Sequence, residues 1–228
     1  MTKTPKDTDM ENQKNIYVAF VSTPYKMGKL ITFVTGYEYN HSALCLDEGF
    51  PYFVSFSRRY KSAPFCGGLT KESPLRLEYK GRTAKIKICA VPVSKEQHEN
   101  AKKHIEKMFS QYDDYIYNMF GAAVLPFGRY IKIEKSFICV EFVLSMLKKY
   151  ADIPVLKDVS YCNIKELSAM LEPYKIYEGP AEKFIKGAGW NGDTFPEKKG
   201  LGFYFKKTFS NNAELFRRFL KQSSSRGE

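Results

Sequence analysis

The sequence has no long apolar run and no long run of like charges. Its 228 residues contain no stretch of 18 apolar side chains, and the polar N-terminus lacks the apolar segment of a secretory signal. We therefore expect neither a membrane-spanning helix nor secretion. The net charge is +11, yet like charges never reach five in a row. This spread predicts a solvated basic surface rather than specific nucleic-acid binding.

Cysteine is scarce and shows no pairing pattern. The five cysteines form an odd number, with no Cys-x-x-Cys pair and no regular spacing. Neither a disulfide framework nor a structural zinc site has this pattern. We therefore expect free thiols in a reducing, cytoplasmic location. The five are Cys45, Cys66, Cys89, Cys139 and Cys162.

Histidine is rarer still, with three in the chain. His98 and His104 lie six residues apart on a helix predicted over Lys95–Gln111, and this spacing gives no shared metal-binding face. We expect both side chains on the solvent side of that helix. His41 is therefore the only histidine in a predicted strand.

The composition predicts one compact domain with tails, because 43% hydrophobic and 15% aromatic residues can bury a substantial core. Residues 1–14 are charged and poor in apolar side chains, which indicates a disordered arm. Residues 15–180 carry the strand and helix patterns of the domain. Residues 181–228 form a basic extension, with a strand predicted over Leu201–Lys206 and a short helix over Ala213–Lys221. We expect the extension to dock on the core, with contact to an acidic surface or membrane as the alternative.

A β-hairpin is predicted around a turn of sequence DEG. The strand His41–Leu46 leads through this turn into the strand Tyr52–Ser57. Side chains alternate along a strand, so the hydroxyls of Ser55 and Ser57 share a face that can lie across from the histidine. The next segment, Arg58–Pro74, contains two prolines and two adjacent glycines and is predicted as a long loop.

A helix predicted over Ser136–Tyr150 places Cys139 close to its start. Unpaired N–H groups and the positive end of the helix dipole favour a thiolate at such a position. Cys139 is also the first residue of an apolar stripe that continues at Phe142 and Val143. An ordinary core cysteine is therefore the competing interpretation.

Three kinds of reactive site can be weighed against this pattern. A zinc site has only two candidate ligands, His41 and Cys45, where three or four are needed. A serine hydrolase is disfavoured because no Gly-x-Ser-x-Gly motif occurs. A Cys–His pair needs a cysteine at a helix start and an imidazole from a separate element, and the chain offers both in Cys139 and His41.

The segments HSALCLDEG, FVSFSRRY and SFICVEFV, in this order, resemble the circularly permuted papain-like fold of the NlpC superfamily. That superfamily includes the YiiX-like proteins and the lecithin retinol acyltransferase group, and the similarity covers roughly Asn15–Pro180. The resemblance implies an α+β fold in which an antiparallel sheet packs against a cysteine-bearing helix. It also implies a cysteine hydrolase or acyltransferase that uses no metal and no organic cofactor.

The resemblance assigns Cys139 as the nucleophile and His41 as the general base. A third, polar residue that orients the histidine usually comes from the strand after it, where this chain offers Ser55 or Ser57 and no carboxylate. We choose Ser55, which is nearer the strand centre. A hydroxyl accepts the imidazole N–H without adding negative charge, so this choice implies a weaker catalyst.

The leading expectation is a hydrolase of peptide-like or lipid-like acyl bonds, acting on a small acyl or peptide-like substrate through a thioester. An acyltransferase on the same site is the first alternative. The second is a binding or scaffold module with this fold and little chemistry, which the missing charged third residue would allow.

Overall fold

The computed structural model describes residues 13–23, 25, 28, 32–33, 36–153, 162–186, 195 and 199–224. It is a mixed α+β fold built on one large, mostly antiparallel sheet of eight strands in the order β10-β7-β1-β2-β3-β4-β8-β9. The one parallel pairing within this described sheet joins β8 to β9, and β5 and β6 form a separate two-stranded ribbon. The strands are β1 Gln13–Ser22, β2 His41–Cys45, β3 Phe53–Tyr60, β4 Ala63–Glu72, β5 Glu78–Tyr79, β6 Arg82–Thr83, β7 Lys85–Ser94, β8 Ile116–Tyr117, β9 Ser136–Phe137 and β10 Lys175–Pro180.

Helices follow β7 in the chain and lie between and after the remaining strands. They are α1 Lys95–Ser110, α2 Met119–Val124, α3 Cys139–Tyr150, α4 Ile164–Met170, α5 Glu182–Lys186 and α6 Leu201–Ser224. Short 3₁₀ turns occupy Pro74–Leu77, Tyr112–Asp114, Leu125–Phe127 and Glu172–Tyr174. None of the helices within the described residues combines the length and apolar content that crossing a bilayer requires.

Strand β1 buries both of its faces, and its sequence from Ile16 to Val21 is accordingly a continuous apolar run. On one face, Phe20 of β1 belongs to the core cluster that also contains Phe142 and Val143 of α3. On the other face, Tyr17 and its neighbours pack with Phe184 of α5. Helix α3 therefore lies directly against the sheet, and most of its side chains are buried.

The segment predicted as a long loop is instead a second hairpin arm, β4. It pairs with β3 in antiparallel register and buries Cys66 and Leu69. The adjacent glycines serve close packing: a Cβ at Gly67 would stand 2.8 Å from Cβ of Tyr117, and one at Gly68 would meet the carbonyl oxygen of Tyr115. The paired glycines therefore mark the approach of neighbouring backbone and not an irregular loop.

Both tails differ from the expectation in detail. Strand β1 already begins at Gln13, inside the predicted arm, and residues 1–12 lie outside the described part of the chain. At the other end, one continuous helix, α6, replaces the predicted strand and short helix. Its Tyr204 packs with Cys66 of β4, so this part of the extension docks on that strand.

Candidate active site

His41 is the first residue of β2 and meets a carboxylate from β4. Its Nε2 lies 2.9 Å from Oε1 of Glu72, and the two side chains are 13% and 15% exposed. Strand β3 lies between β2 and β4. The side chain of Glu72 therefore reaches across β3 to the imidazole.

Cys139 is the first residue of α3, and its thiol lies close enough to the side chain of His41 for each group to shift the pKa of the other. The backbone of Ser42 also acts on this thiol and lowers its pKa. Because Nε2 of His41 is taken by Glu72, Nδ1 is the ring nitrogen left for the sulfur. Carboxylate, imidazole and thiol thus form one continuous relay.

The charges of this relay support one another despite burial. Burial raises the pKa of the Glu72 carboxyl, but the charge and hydrogen bond of His41 outweigh it and bring this pKa to about 2. Burial lowers the pKa of His41, but the charge of Glu72 and the hydrogen bond to Cys139 outweigh it and raise this pKa to about 10. The carboxylate and an imidazolium are therefore the favoured forms near neutral pH.

The pKa of the Cys139 thiol is lowered, which favours the thiolate that a nucleophile requires. Burial raises its pKa, whereas the hydrogen bond and positive charge of His41 lower it, and the lowering prevails. Burial instead raises the pKa of Cys45 to about 12 and that of Cys89 to about 11, and it also raises the pKa of Cys66. The structure thus separates the thiol beside His41 from three other buried thiols.

The third predicted site residue, Ser55, lies in this cluster but in a different position from the one expected. Its hydroxyl donates to Oε1 of Glu72, the same oxygen that faces His41. The group that meets the imidazole is thus a carboxylate from β4, not a hydroxyl from β3. The reason is length, because a glutamate side chain spans the width of β3 whereas a serine hydroxyl stays above its own strand.

A chain of hydroxyls continues from Ser55 along the same face. Oγ of Ser57 lies 2.8 Å from Oγ1 of Thr70, and Ser55 approaches the same threonine at 3.4 Å. Arg76 adds a positive charge that lowers the pKa of Glu72 further. The carboxylate is therefore held by hydroxyl and cationic neighbours as well as by His41.

The start of α3 is fixed by a buried glutamate. Oε2 of Glu141 accepts the backbone N–H of Ile138 at 3.3 Å, and its Oε1 accepts the hydroxyl of Tyr130. Glu141 is only 3% exposed, so this carboxylate caps the helix from inside the protein. These bonds hold the turn that carries Cys139.

Aromatic and amide groups around the thiol have separate roles. Burial and the charge of Cys139 both raise the pKa of Tyr117, which keeps its phenol protonated beside the sulfur. Asn118 caps α2 instead: its Oδ1 accepts the N–H of Gly121 at 2.9 Å, and its Nδ2 donates to the carbonyl of Ile131 at 2.7 Å. Of these two, Tyr117 is the one that borders the reactive sulfur.

The other two histidines take part in packing. His98 is buried, contrary to expectation, and its Nε2 lies 2.9 Å from the carbonyl oxygen of Leu46. Nδ1 of His104 lies 2.9 Å from the hydroxyl of Tyr150. Among the residues that the structure describes, no group of three or more His, Cys, Asp or Glu side chains could hold a metal ion.

No family model, curated protein or solved structure matches this chain. The chemistry open to the site is therefore argued from its own atoms. A buried carboxylate–imidazole–thiol relay, with the thiol at a helix start and a lowered pKa, is an arrangement that suits a thiol for nucleophilic chemistry.

Proposed function

We propose that this protein is a cysteine-dependent hydrolase of amide or ester acyl bonds. In this proposal Cys139 is the nucleophile, His41 is the general base and acid, and Glu72 orients and charges the imidazole. The observation that carries the proposal is the relay itself, in which contact with His41 lowers the pKa of one thiol while three others are raised.

The order of elements supports the same interpretation. A histidine-bearing strand precedes the cysteine-bearing helix, and that helix packs on a mostly antiparallel sheet. This order agrees with the resemblance to the permuted papain-like NlpC superfamily, and we include that fold in the proposal. The cytoplasmic location remains a prediction from the sequence.

The first half of the reaction transfers the acyl group to sulfur. The thiolate of Cys139 attacks the acyl carbon, a C–S bond forms, and the carbonyl electron pair moves onto oxygen. The backbone N–H of Cys139, in the first turn of α3, has no helical acceptor and can donate to this oxyanion. The carbonyl then re-forms, the bond to the leaving nitrogen or oxygen breaks, and the imidazolium of His41 supplies the proton that this atom needs.

The second half regenerates the thiol. Neutral His41 takes a proton from water as the water oxygen attacks the thioester carbon, and the C–S bond breaks to release the acid. The sulfur leaves as a thiolate beside an imidazolium, which is the starting ion pair. Glu72 stabilises the imidazolium in both halves because its pKa, about 2, keeps it ionised.

Two alternatives to a hydrolase remain from the sequence. An acyltransferase would pass the acyl group of the thioester to an amine or alcohol, with the same residues in the same roles. A binding module with little chemistry is the alternative if a hydroxyl alone orients the histidine. A carboxylate, that of Glu72, lies beside His41. The absence of a charged third residue, which was the reason to consider a binding module, therefore no longer holds.

Trapping the thioester tests the proposal directly. Wild-type protein incubated with p-nitrophenyl esters of short and long fatty acids should release p-nitrophenol and gain one acyl mass, mapped to Cys139. Cys139→Ala should lose both signals, and Cys66→Ala, which removes another buried thiol, should keep them. Adding amines or alcohols separates hydrolysis from transfer. Failure of wild-type protein to acylate with any ester, or acylation that persists in Cys139→Ala, would overturn the proposal.

A further inference from the structure

Helix α6 has one face fixed to the body of the protein. Leu215 is fully buried, and Tyr204 packs with Ala63 and Cys66 of β4. A guanidinium nitrogen of Arg218, Nη1, donates to the carbonyl oxygen of Asp114 at 2.7 Å. The helix is therefore held along its length, and its remaining faces have a defined orientation.

A second face of α6 presents large apolar side chains to solvent. At about 100° per residue, five of them fall within a sector of roughly 100°. We call this set the α6 stripe. Its members are Leu201, Phe205, Phe209, Phe216 and Leu220, with exposed fractions of 76%, 75%, 78%, 50% and 48%.

Apolar side chains on neighbouring elements widen the stripe. Phe65 of β4 is 51% exposed, and its carbonyl accepts the Nδ2 of Asn212 on α6 at 3.4 Å. Phe120 of α2 contacts Phe216 and Phe219 edge-on at ring-centroid distances of 6.4 and 6.0 Å. A patch of this composition on an ordinary surface is a mark of an interaction site.

Positive charge borders the α6 stripe. Helix α6 carries five basic residues and a single acidic one, Glu214. That carboxylate is already paired, at 2.7 Å, with Arg217 and Arg218. Lys206 and Lys221 are both exposed. At about 100° per residue, Lys206 lies about 40° beyond the edge of the stripe, and Lys221 lies farther round the same side of the helix, about 100° beyond that edge.

We propose that the α6 stripe docks this protein on an anionic phospholipid surface. The phenylalanine and leucine side chains enter the boundary between headgroups and acyl chains, and the flanking lysines contact the anionic headgroups. Charge decides between this partner and a second copy of the chain. A second copy would bring an equally basic helix to the stripe, whereas an anionic bilayer complements it.

This inference goes beyond the proposed hydrolase and is tested separately from it. The full-length Cys139→Ala variant is mixed with sedimenting vesicles of phosphatidylcholine, with and without one quarter phosphatidylglycerol. We expect binding to the anionic vesicles, weak binding to the neutral ones, and a loss of binding at high salt. Because the variant carries no nucleophile, a failure of the hydrolase proposal leaves this result unchanged.

Paired variants identify the surface. Phe205→Ser combined with Phe209→Ser should weaken binding to anionic vesicles roughly tenfold or more, because both side chains are exposed and needed only at the interface. Ile176→Ser is the matched control, since Ile176 is 59% exposed on β10 and lies outside the stripe. Lys206→Glu with Lys221→Glu should weaken binding similarly, while Lys102→Glu on the exposed side of α1 should not.

Three outcomes would overturn the proposal. One is an absence of binding to anionic vesicles, and another is equal binding to neutral and anionic vesicles. The third is a dimer in gel filtration that the Phe205→Ser and Phe209→Ser pair converts to monomer, which would make the stripe an interface between copies. Selective loss of vesicle binding in the stripe variants, from a monomeric protein, supports it.

Discussion

Oε1 of Glu72 lies 2.9 Å from Nε2 of His41, although 31 residues separate the two in the chain. The contact crosses β3 and places a carboxylate behind the imidazole on the side away from the thiol. It converts a two-residue Cys–His pair into a relay of three groups. The consequences for reactivity and for stability can each be measured.

Cys139 should react with an alkylating reagent well before the other cysteines. At about pH 6 its lowered pKa leaves more thiolate than the raised pKa values of Cys45, Cys66 and Cys89 allow. Limited iodoacetamide labelling followed by peptide mass mapping measures each rate. His41→Ala should slow labelling of Cys139 because it removes the positive charge. Equal rates at all the cysteines would contradict the assignment.

Glu72→Gln should lower kcat/KM on the ester identified by trapping by a factor on the order of 10². The amide keeps an oxygen for the imidazole N–H but removes the charge that raises the pKa of His41. The pH profile of alkylation should therefore move to higher pH, because a less charged imidazole holds less thiolate.

Ser55→Ala is the control for that variant. Its hydroxyl bonds Glu72, so its loss should cost activity less than loss of the carboxylate and should move the pH profile little. A larger effect from Ser55→Ala than from Glu72→Gln would reverse the roles given to the two residues.

The stability of the fold should fall in acid partly because of Glu72. Its pKa is lowered from 4.5 in the unfolded chain to about 2 in the folded protein. The ionised group therefore stabilises the fold above the unfolded value, and this contribution is lost as pH falls through the folded value. The loss amounts to as much as about 3 kcal/mol. Urea unfolding at intervals from about pH 5 to pH 2 should show a shallower decline for Glu72→Gln than for wild type, and equal slopes would contradict the shift.

Gly68→Ala should destabilise the protein by roughly 1–3 kcal/mol or more. A Cβ at this position meets the carbonyl oxygen of Tyr115 and the guanidinium of Arg59, so backbone must shift. Gly49→Ala is the matched control, because a Cβ there has nothing within 4 Å. Urea unfolding of both variants checks the difference. Similar stabilities for the two variants would show that a Cβ at position 68 fits beside Tyr115, contrary to the structure.

His41 and Cys139 could be predicted because each begins an element whose pattern is local. The strand after His41 and the helix after Cys139 are both visible in a short window of sequence. Their contact depends on the tertiary fold, and the structure places the imidazole and the thiol close enough to shift each other's pKa. The catalytic roles of the two residues remain a proposal.

Glu72 could not be predicted as a partner of His41, because the sequence of its segment indicates a loop and not a strand. Pro64 and the pair Gly67 and Gly68 are typical of a loop. The structure instead shows that the two glycines leave room for Tyr115 and Tyr117, which approach β4 from another part of the chain. The same limit applies to His98, whose burial depends on contact with Leu46, 52 residues away. Contacts of this kind leave no periodic signal in sequence.

For a related reason, the sequence predicts a strand and a separate short helix where the structure has the single helix α6. Apolar and aromatic residues at 201–205 look like a strand when considered alone. The pattern becomes helical only when Tyr204 and Leu215 are seen to face the same body, three turns apart. An amphipathic helix is recognised in sequence by one apolar face opposite a polar one. Because α6 has a second, exposed apolar face, this difference is weak in its sequence.

The pairing of β3 with β4 fixes which side chain of β4 faces the imidazole. Glu72 stands opposite Phe53, and Lys71 stands opposite Val54, with the two side chains on opposite faces of the sheet. A single residue inserted between Gly68 and Lys71 would bring Lys71 to the place of the carboxylate and set a positive charge against His41. The spacing of β4 thus governs the sign of the field at the thiol, and an insertion there should abolish its lowered pKa at least as fully as removing the carboxylate.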